Sequence, residues 1–257
     1  MSPAPSTRLV ALGASNLTRL ALALLDAARD FAHRPIEAHM ALGRGRSFGI
    51  RSRLLGRELP GIDGCRLWQE LAASPPKPTT ALLTDVGNDV LYGIEVPRIL
   101  AWVDAALERL TVHAQHRHVV SLPMATLRLL SPRRFTVMRS MLVPSCRLSL
   151  PQTLDAAERL HQGLEQLAAR HGATFHMPEP AWYGFDPVHV RRRYWGAAAR
   201  SWLGEVGSSE PMPSLDGTFA RLRFLFATPA ERAWFGVTRH CEQPARRFAD
   251  GTTLALW

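Results

Sequence analysis

The sequence is poor in cysteine. Its 257 residues include three, which lie far apart at Cys65, Cys146 and Cys241. They form no CxxC pair, and no cysteine–histidine spacing typical of a zinc site accompanies them. An odd number of scattered cysteines does not make a disulfide framework and is typical of a reducing compartment. We therefore expect no disulfides and no metal site.

Long apolar runs are also missing. No run approaches the roughly 18 residues that a membrane span needs, and no signal-peptide pattern precedes the first predicted strand. We expect a cytoplasmic protein without a membrane span. Hydrophobic residues make up 46% of the chain and charged residues 21%, as in ordinary globular proteins. The length suits one sizeable α/β domain with an appendage.

The chain is basic, with 31 lysines and arginines against 22 aspartates and glutamates and a formal net charge of +9. Such a charge fits nucleic acid, an anionic ligand or simply a basic surface. The densest cluster, Arg191–Arg193, lies in a predicted helix, and no recognisable nucleic-acid-binding motif accompanies it. The sequence therefore does not favour nucleic acid as a partner, and a small-molecule ligand is expected.

Strand and helix patterns alternate through the first 203 residues. Short apolar strands are predicted at 9–12, 36–42, 80–84, 118–122 and 173–175, and helical periodicity lies between them. This alternation predicts a five-stranded, mostly parallel sheet in a three-layer α/β/α domain. Right-handed crossovers place the carboxyl ends of all five strands at one edge. Open α/β sheets bind their ligands at that edge.

Residues 204–257 have a different composition. A linker rich in glycine, serine and proline is predicted at 204–213, followed by an aromatic-rich, basic stretch. Thr228–Arg232 has the pattern of a helix start, and Asp250–Gly251 that of a hairpin turn. About 50 residues are too few for a second core. We therefore predict a catalytic domain at 1–203 and an extension at 204–257 that packs on it or on a partner subunit of a homo-oligomer.

The first strand leads into a tight turn, Gly13–Asn16, and then into the first helix. A serine at such a turn lies at the ligand-binding edge of the sheet. The helix start behind it supplies free N–H groups and a partial positive charge, which suit an oxyanion. Serine at this position is also a common helix N-cap. From the turn alone, a capping role for Ser15 is the better hypothesis.

Three further blocks change that judgement: Gly45-Arg-Ser47, Gly87-Asn88-Asp89 and Asp186-Pro-Val-His189. Together with Gly13-Ala14-Ser15-Asn16, and in this order, they resemble the motif blocks of the SGNH, or GDSL-type, hydrolases. That superfamily of esterases and lipases has a flavodoxin-like sheet. The resemblance covers residues 9–203, and each block stands at the end of a predicted strand.

The resemblance implies a role for each block. Ser15 would be the nucleophile of a serine esterase, with His189 as its base and Asp186 as the partner of the imidazole. A serine hydroxyl needs such a base because it is a weak nucleophile on its own. The backbone N–H groups of Ser15 and Gly45 and the amide of Asn88 would form the oxyanion hole. One such donor is typically worth about 3–4 kcal/mol, and no cofactor is implied.

The sequence departs from the family at two positions of the first block. Ala14 replaces the usual aspartate and Asn16 the usual leucine, so the nucleophile turn loses an acidic partner. Because the triad does not include that acid, we still expect hydrolysis of a carboxylic ester. An acyltransferase with the same triad is one alternative. A catalytically silent domain for an anionic ligand is another, because Arg44 and Arg46 flank Gly45; both arginines fit a solvated loop equally well.

A second serine competes with Ser15. The segment Gly45-Arg-Ser47-Phe-Gly49 matches the GxSxG nucleophile elbow of α/β-hydrolases. In that fold the elbow follows several strands, and the acid and histidine lie on separate loops. Here one strand and one helix precede the segment, and three residues separate Asp186 from His189. We therefore favour Ser15.

Three histidines have a spacing that could indicate a metal site: His113, His116 and His118. Their neighbours are polar, and they stand where a predicted helix gives way to a predicted strand. We therefore expect a solvated loop at this place and no metal.

Overall fold

In a computed structural model of the chain, the residues described are 5–54, 56–204, 214, 215, 217, 221, 224 and 226–257. Their strands are β1 (Thr7–Leu12), β2 (Ile36–Ala41), β3 (Ser52–Leu54), β4 (Arg57–Leu59), β5 (Thr79–Leu83), β6 (His116–Val120), β7 (Thr174–His176), β8 (Glu231–Trp234), β9 (Val237–His240), β10 (Arg246–Arg247) and β11 (Thr253–Leu256). Their α-helices are α1 (Ser15–Ala32), α2 (Leu67–Ala73), α3 (Asn88–Leu91), α4 (Val96–His113), α5 (Met124–Leu127), α6 (Pro132–Leu142), α7 (Leu150–Arg170) and α8 (Trp195–Trp202). None of these helices is long and apolar enough to cross a membrane.

The main sheet has seven strands in the order β10-β11-β2-β1-β5-β6-β7. Every neighbouring pair is parallel except β10 and β11. The five predicted strands are all present and follow the flavodoxin-like order, which confirms the fold class. In that order the chain changes direction between β1 and β5, so their carboxyl ends lie side by side at the switch point.

Helices cover both faces of this sheet because its central strands are apolar on both sides. In β1, Leu9 and Ala11 pack with the core of α1 and α8, whereas Val10 and Leu12 pack with that of α4 and α7. All four side chains are buried. Burial of one leucine stabilises a fold by about 2 kcal/mol, so β1 is a central element of both cores.

The sheet has two strands more than predicted, because the tail contributes to it. β11 pairs in parallel with β2, and β10 folds back on β11. The predicted turn at Asp250–Gly251 is confirmed: Gly251 N–H donates to Phe248, and Phe248 N–H donates to Thr252. Of the predicted linker, residues 205–213 lie outside the described residues.

The helix predicted from Thr228 is wrong. The chain forms β8 there, in a second sheet of order β3-β4-β8-β9. Arg57 and Glu58 of β4 pair with Trp234 and Ala233 of β8. Local preference for a helix start is weak, and pairing with a strand distant in sequence overrides it.

The loop after β4 packs against the glycine-rich loop after β2. Ile62 N–H donates to the Ser47 carbonyl, and Asp63 N–H donates to that of Phe48. A Cβ atom on Gly61 would lie 2.7 Å from the carbonyl carbon and oxygen of Gly49. Glycine is therefore required at position 61, since the two backbones approach too closely for a side chain.

Gly61→Ala should destabilise the protein because its methyl group meets backbone that cannot move aside. We expect the free energy of unfolding to fall by about 1–3 kcal/mol, as is usual for overpacking. Gly64→Ala is the matched control in the same loop, since its added Cβ has no atom within 4 Å. Chemical denaturation of both variants measures the difference, and an equal effect of the two would contradict the packing argument.

Candidate active site

The carboxyl edge of the main sheet gathers the four sequence blocks. Ser15 begins α1 directly after β1, Gly45 follows β2, and Asn88 begins α3 after β5. His189 lies in the loop between β7 and α8. These four residues line one cavity of about 430 Å³, and Asp186 lies behind His189. The structure thus brings together all five residues that the sequence singled out.

Ser15, His189 and Asp186 form a continuous hydrogen-bonded chain. The Nε2 atom of His189 lies 2.9 Å from the Ser15 hydroxyl oxygen, and its Nδ1 lies 2.6 Å from Oδ2 of Asp186. The other carboxylate oxygen of Asp186 accepts from the N–H groups of Val188 at 3.1 Å and His189 at 3.2 Å. These bonds fix the turn that presents the imidazole, which is buried.

The Asp186 carboxyl is held in its ionised form. Its partial burial raises the pKa, but the hydrogen bond and charge of His189, the Val188 N–H and the Arg19 guanidinium together lower it below the usual value. Arg19 lies 4.0 Å from Oδ2 of Asp186. An ionised Asp186 can hold the Nδ1 proton of His189 and leave Nε2 free to face Ser15.

Three candidate oxyanion donors belong to residues that line this cavity: Ser15, Gly45 and Asn88. Among the described residues, no acceptor pairs with the N–H of Ser15 or with that of Gly45. Gly45 has φ +66°, a conformation that favours glycine, and its carbonyl accepts from the Tyr92 hydroxyl at 2.6 Å. The Asn88 amide nitrogen is 3.5 Å from the Arg46 carbonyl. Two free backbone donors and a loosely held amide can therefore serve a developing oxyanion.

Ser15 does not cap α1. The residue at the N-cap is Ala14, which has no side-chain capping bond. Instead, one oxygen of the Asp85 carboxylate accepts from the N–H groups of Ala14 at 2.9 Å and Leu17 at 3.0 Å. The expectation that this turn lacks an acidic partner is therefore wrong, because β5 supplies the acid from across the switch point.

Asp85 is the functional residue that the sequence did not reveal. It stands 71 residues after Ala14, so no local pattern links the two. Its φ of +62° is unusual for a residue other than glycine. The available signal was topological: a carboxylate directly after β5 meets the turn after β1 if those strands are neighbours.

Asn16 connects the nucleophile turn to the histidine loop. Its amide nitrogen donates to Oδ1 of Asp85 at 2.8 Å and to the Val188 carbonyl at 2.9 Å. Its amide oxygen accepts from the Val190 N–H at 2.9 Å. Both neighbours of His189 are thus held by the residue that follows Ser15.

The competing serine, Ser47, is buried and does not line the cavity. Its hydroxyl donates to the Asp89 carboxylate, and the Phe48 N–H donates to the same group at 2.9 Å. The Ser47 oxygen also accepts from the N–H groups of Gly49 and Ile50. The GxSxG segment therefore builds the loop that presents Gly45.

Arg46 is wholly buried, so the expectations that it contacts a ligand or lies in a solvated loop are wrong. Its guanidinium donates to the carbonyls of Pro60 at 3.0 Å and Leu42 at 3.2 Å, and to that of Trp257. Burial lowers its pKa. Arg46 thus ties the glycine-rich loop to β2 and the tail, whereas Arg44 remains exposed.

The expected solvated loop is wrong for His118, which is buried on β6 and lies 3.0 Å from His176. Burial, with the charges of His176 and His116, lowers its pKa to about 4. Within the described ranges, no three histidine, cysteine or acidic side chains are grouped so that they could hold a metal ion.

Asp89 should give the protein a pH-dependent stability. The hydrogen bonds that its carboxylate accepts from Phe48 and Ser47 lower its pKa, but burial has the larger effect and raises the pKa to about 6. Between about pH 4 and 6 the folded state then binds more protons than the unfolded state, so Asp89 makes stability fall as pH rises. His118 acts in the opposite direction over a similar range, because its pKa is lowered.

The difference in unfolding free energy between the wild type and Asp89→Asn isolates the contribution of Asp89 from that of His118. We expect the variant to gain up to about 3 kcal/mol relative to wild type from pH 4 to 7. Denaturant unfolding at several pH values measures this gain. A difference that does not vary with pH would contradict the raised pKa.

No protein-family model and no curated protein matches the sequence. Solved structures do resemble it. Est24, a carbohydrate acetylesterase from Sinorhizobium meliloti, is 13% identical in sequence. The match covers 76% of this chain and 95% of the Est24 chain, with a TM-score of 0.50. EstA, a psychrotrophic esterase from Pseudoalteromonas sp., is 13% identical, with coverages of 77% and 94% and a TM-score of 0.47. AlinE4, an SGNH-hydrolase family esterase, is 13% identical, with coverages of 85% and 91% and a TM-score of 0.41.

At such low identity, a structural likeness speaks for the fold and not for the activity. The match to Est24 covers 76% of this chain. The order of its parallel strands and the covering of both faces by helices agree with that likeness. The chain therefore has a three-layer α/β/α fold like that of Est24.

Proposed function

We propose that this protein is a serine hydrolase that cleaves a carboxylic ester through an acyl-enzyme. The observation that carries the proposal is the position of His189, with Nε2 at 2.9 Å from the Ser15 hydroxyl and Nδ1 at 2.6 Å from Asp186. A helix cap or a turn would need only one of these contacts. Both contacts on one imidazole, at the wall of a cavity, suit nucleophilic catalysis.

In the first half of the reaction, the Ser15 oxygen attacks the ester carbonyl carbon while His189 Nε2 takes its proton. The Asp186 carboxylate stabilises the imidazolium without itself taking the proton. The carbonyl oxygen becomes an oxyanion that accepts from the N–H groups of Ser15 and Gly45 and from the Asn88 amide. These donors are already in place, so little reorganisation is needed when the charge develops.

The tetrahedral intermediate collapses when the bond to the alcohol oxygen breaks and His189 gives its proton to that oxygen. Water then attacks the carbonyl carbon of the acyl-Ser15 ester, and His189 again takes the proton. The second intermediate collapses when the bond from that carbon to the Ser15 oxygen breaks. His189 returns the proton to Ser15, and the carboxylic acid is released. An alcohol in place of that water would make the same residues an acyltransferase. The fold shared with Est24, described as a carbohydrate acetylesterase, supports ester cleavage as the class of reaction.

Covalent labelling tests the nucleophile. We expect a fluorophosphonate probe to label the wild-type protein at Ser15 and to fail on Ser15→Ala, which should also lose hydrolysis of a short nitrophenyl ester. Ser47→Ala is the comparison variant: it should still be labelled at Ser15 and still hydrolyse the ester, though more slowly, because it keeps the proposed nucleophile but weakens the loop that presents Gly45. Labelling that persists in Ser15→Ala, or that is absent from the wild type, would overturn the proposal.

Asn16 and Asp85 should act as one positioning unit. Asn16→Ala removes two anchors of the histidine loop, and Asp85→Ala removes the acceptor of the nucleophile turn. We expect each to lower kcat/KM about 10- to 100-fold, as small misplacements of reacting groups do. The double variant should lose little more than either single variant, because both break the same network.

Thr18→Ala is a control for this comparison of single and double variants. Among the described residues, the Thr18 hydroxyl donates a hydrogen bond to the Ala14 carbonyl and to no other group. The variant should keep nearly full activity. Unfolding free energies measured in parallel show which fraction of each variant is folded. Additive losses in the double variant would mean that the two residues act separately.

A further inference from the structure

The active-site cavity has chemically different walls on the two sides of Ser15. The β2 side carries three arginines: Arg44 after β2, Arg19 on α1 and Arg53 on β3. The opposite side, beyond β5 and β6, is lined mainly by apolar side chains of α5, α6 and α7, among them Leu127, Phe135, Met138, Leu142, Leu154 and Ala157. Because Ser15 follows β1, which lies between β2 and β5, it stands where the cationic wall meets the apolar wall.

The charge of the cationic wall is only partly balanced, although Asp85 also lines the cavity and its carboxylate, like that of Asp186, opposes the lowering of the Arg19 pKa. Arg53 pairs with Glu58, but the exposed Arg44 side chain has no hydrogen bond or ion pair to any described residue. The carboxylate nearest to Arg19 is Asp186 at 4.0 Å, which His189 already engages. Partial burial lowers the pKa of Arg19; Asp186 opposes this effect, and the charge of Arg44 adds to it. Two like charges thus lie close enough to repel each other beside the nucleophile.

The apolar wall has no comparable charge. Its one cationic member, Arg139, donates to the Leu148 carbonyl at 2.8 Å and stacks over the Phe135 ring. The Phe135 side chain is buried between α6 and the body of the domain. A hydrocarbon chain in this part of the cavity would replace water with apolar contacts, each buried CH₂ contributing about 0.8 kcal/mol.

The cationic wall reaches the residues that hold the proposed catalytic base. The leaving oxygen of an ester must reach His189 to receive its proton. Arg19 is on that side, since it approaches the carboxylate that holds the imidazole. With the alcohol half beside Arg19, the acyl half can lie against the apolar wall formed by α5, α6 and α7.

We infer that the substrate is the ester of an apolar acyl chain with an alcohol that carries a negative charge, and that Arg44 and Arg19 bind that charge. The inference rests on the proposed ester hydrolysis and adds a substrate class to it. The charge can be a carboxylate or a phosphate, because a guanidinium binds both through paired N–H groups.

Two chromogenic esters test the inference: 3-nitro-4-octanoyloxybenzoate, whose leaving phenol carries a carboxylate, and neutral 2-nitrophenyl octanoate. The quantity to measure is the ratio of kcat/KM for the anionic ester to that for the neutral one. We expect Arg44→Gln and Arg19→Gln each to lower this ratio about fivefold or more, the size of one exposed charge–charge contact. High salt should lower the ratio of the wild type more than that of the double variant.

Arg51→Gln is the matched control, because Arg51 is an exposed arginine that pairs with Glu231 at 3.0 Å and does not line the cavity. It should change neither the ratio nor the activity. Equal loss of both esters in Arg44→Gln, with an unchanged ratio, would overturn the anion site. Faster cleavage of acetyl than of octanoyl esters would overturn the assignment of the apolar wall.

Measuring how tightly the two esters bind, without cleavage, tests the anion site independently of the proposed hydrolysis. In a Ser15→Ala background the same two esters stay uncleaved, and calorimetry gives their Kd values. Adding Arg44→Gln should weaken the anionic ester about fivefold relative to the neutral ester. If the wild type cleaves neither ester, the proposed hydrolysis fails while the anion site still stands or falls on this Kd ratio.

Discussion

The contact between the Asp85 carboxylate and the Asn16 amide is the interaction on which the site depends. It joins the ends of β1 and β5, which the sheet places side by side. From this contact, Asp85 reaches the N–H groups that begin α1, and Asn16 reaches both neighbours of His189. A polar group that is buried and loses its partner costs about 1–3 kcal/mol, so this small network strongly favours a single arrangement of Ser15 and His189.

The same network explains the two departures of the first block from the family pattern. An aspartate in the turn is unnecessary where a carboxylate arrives from β5, and Ala14 leaves room for it. A leucine in place of Asn16 would leave Asp85 without its amide donor and the Val190 N–H without its acceptor. The left-handed backbone of Asp85 costs about 1–3 kcal/mol, which its hydrogen bonds offset. Ala14, Asn16 and Asp85 therefore belong together: Asp85 accepts hydrogen bonds from the Ala14 N–H and from the Asn16 amide.

Much of this architecture follows from local sequence. The strands β1, β2 and β5 are short apolar runs, and a run of that kind is buried between helix layers in nearly any α/β protein. The first three candidate blocks were identifiable because each follows such a strand within a few residues, whereas the fourth follows β7 after a longer loop. The geometry then follows from right-handed crossovers, which bring strand ends to one edge.

The features that sequence did not predict all involve long-range pairing. The segment that begins at Glu231 is a strand because β9 pairs with its whole length and β4 pairs with its far end, although its local pattern is that of a helix start. Arg46 is buried because three carbonyls accept hydrogen bonds from its guanidinium, and the decisive one, that of Trp257, lies 211 residues away. Asp85 contacts the nucleophile turn only because β1 and β5 are neighbours. For Arg46 and Asp85 the deciding partner lies outside any window in which a periodic pattern can be recognised.

The glycine-rich loop is held on both sides by the tail. β11 pairs with β2 before the loop, β8 pairs with β4 after it, and Arg46 within it reaches Trp257, 211 residues away. Contacts of such high sequence separation form late and slowly when a chain folds. The Ser15–His189 contact also joins residues 174 positions apart, so both halves of the site depend on slowly formed contacts. Catalytic competence would then appear as the last event of folding, after secondary structure and compactness are complete.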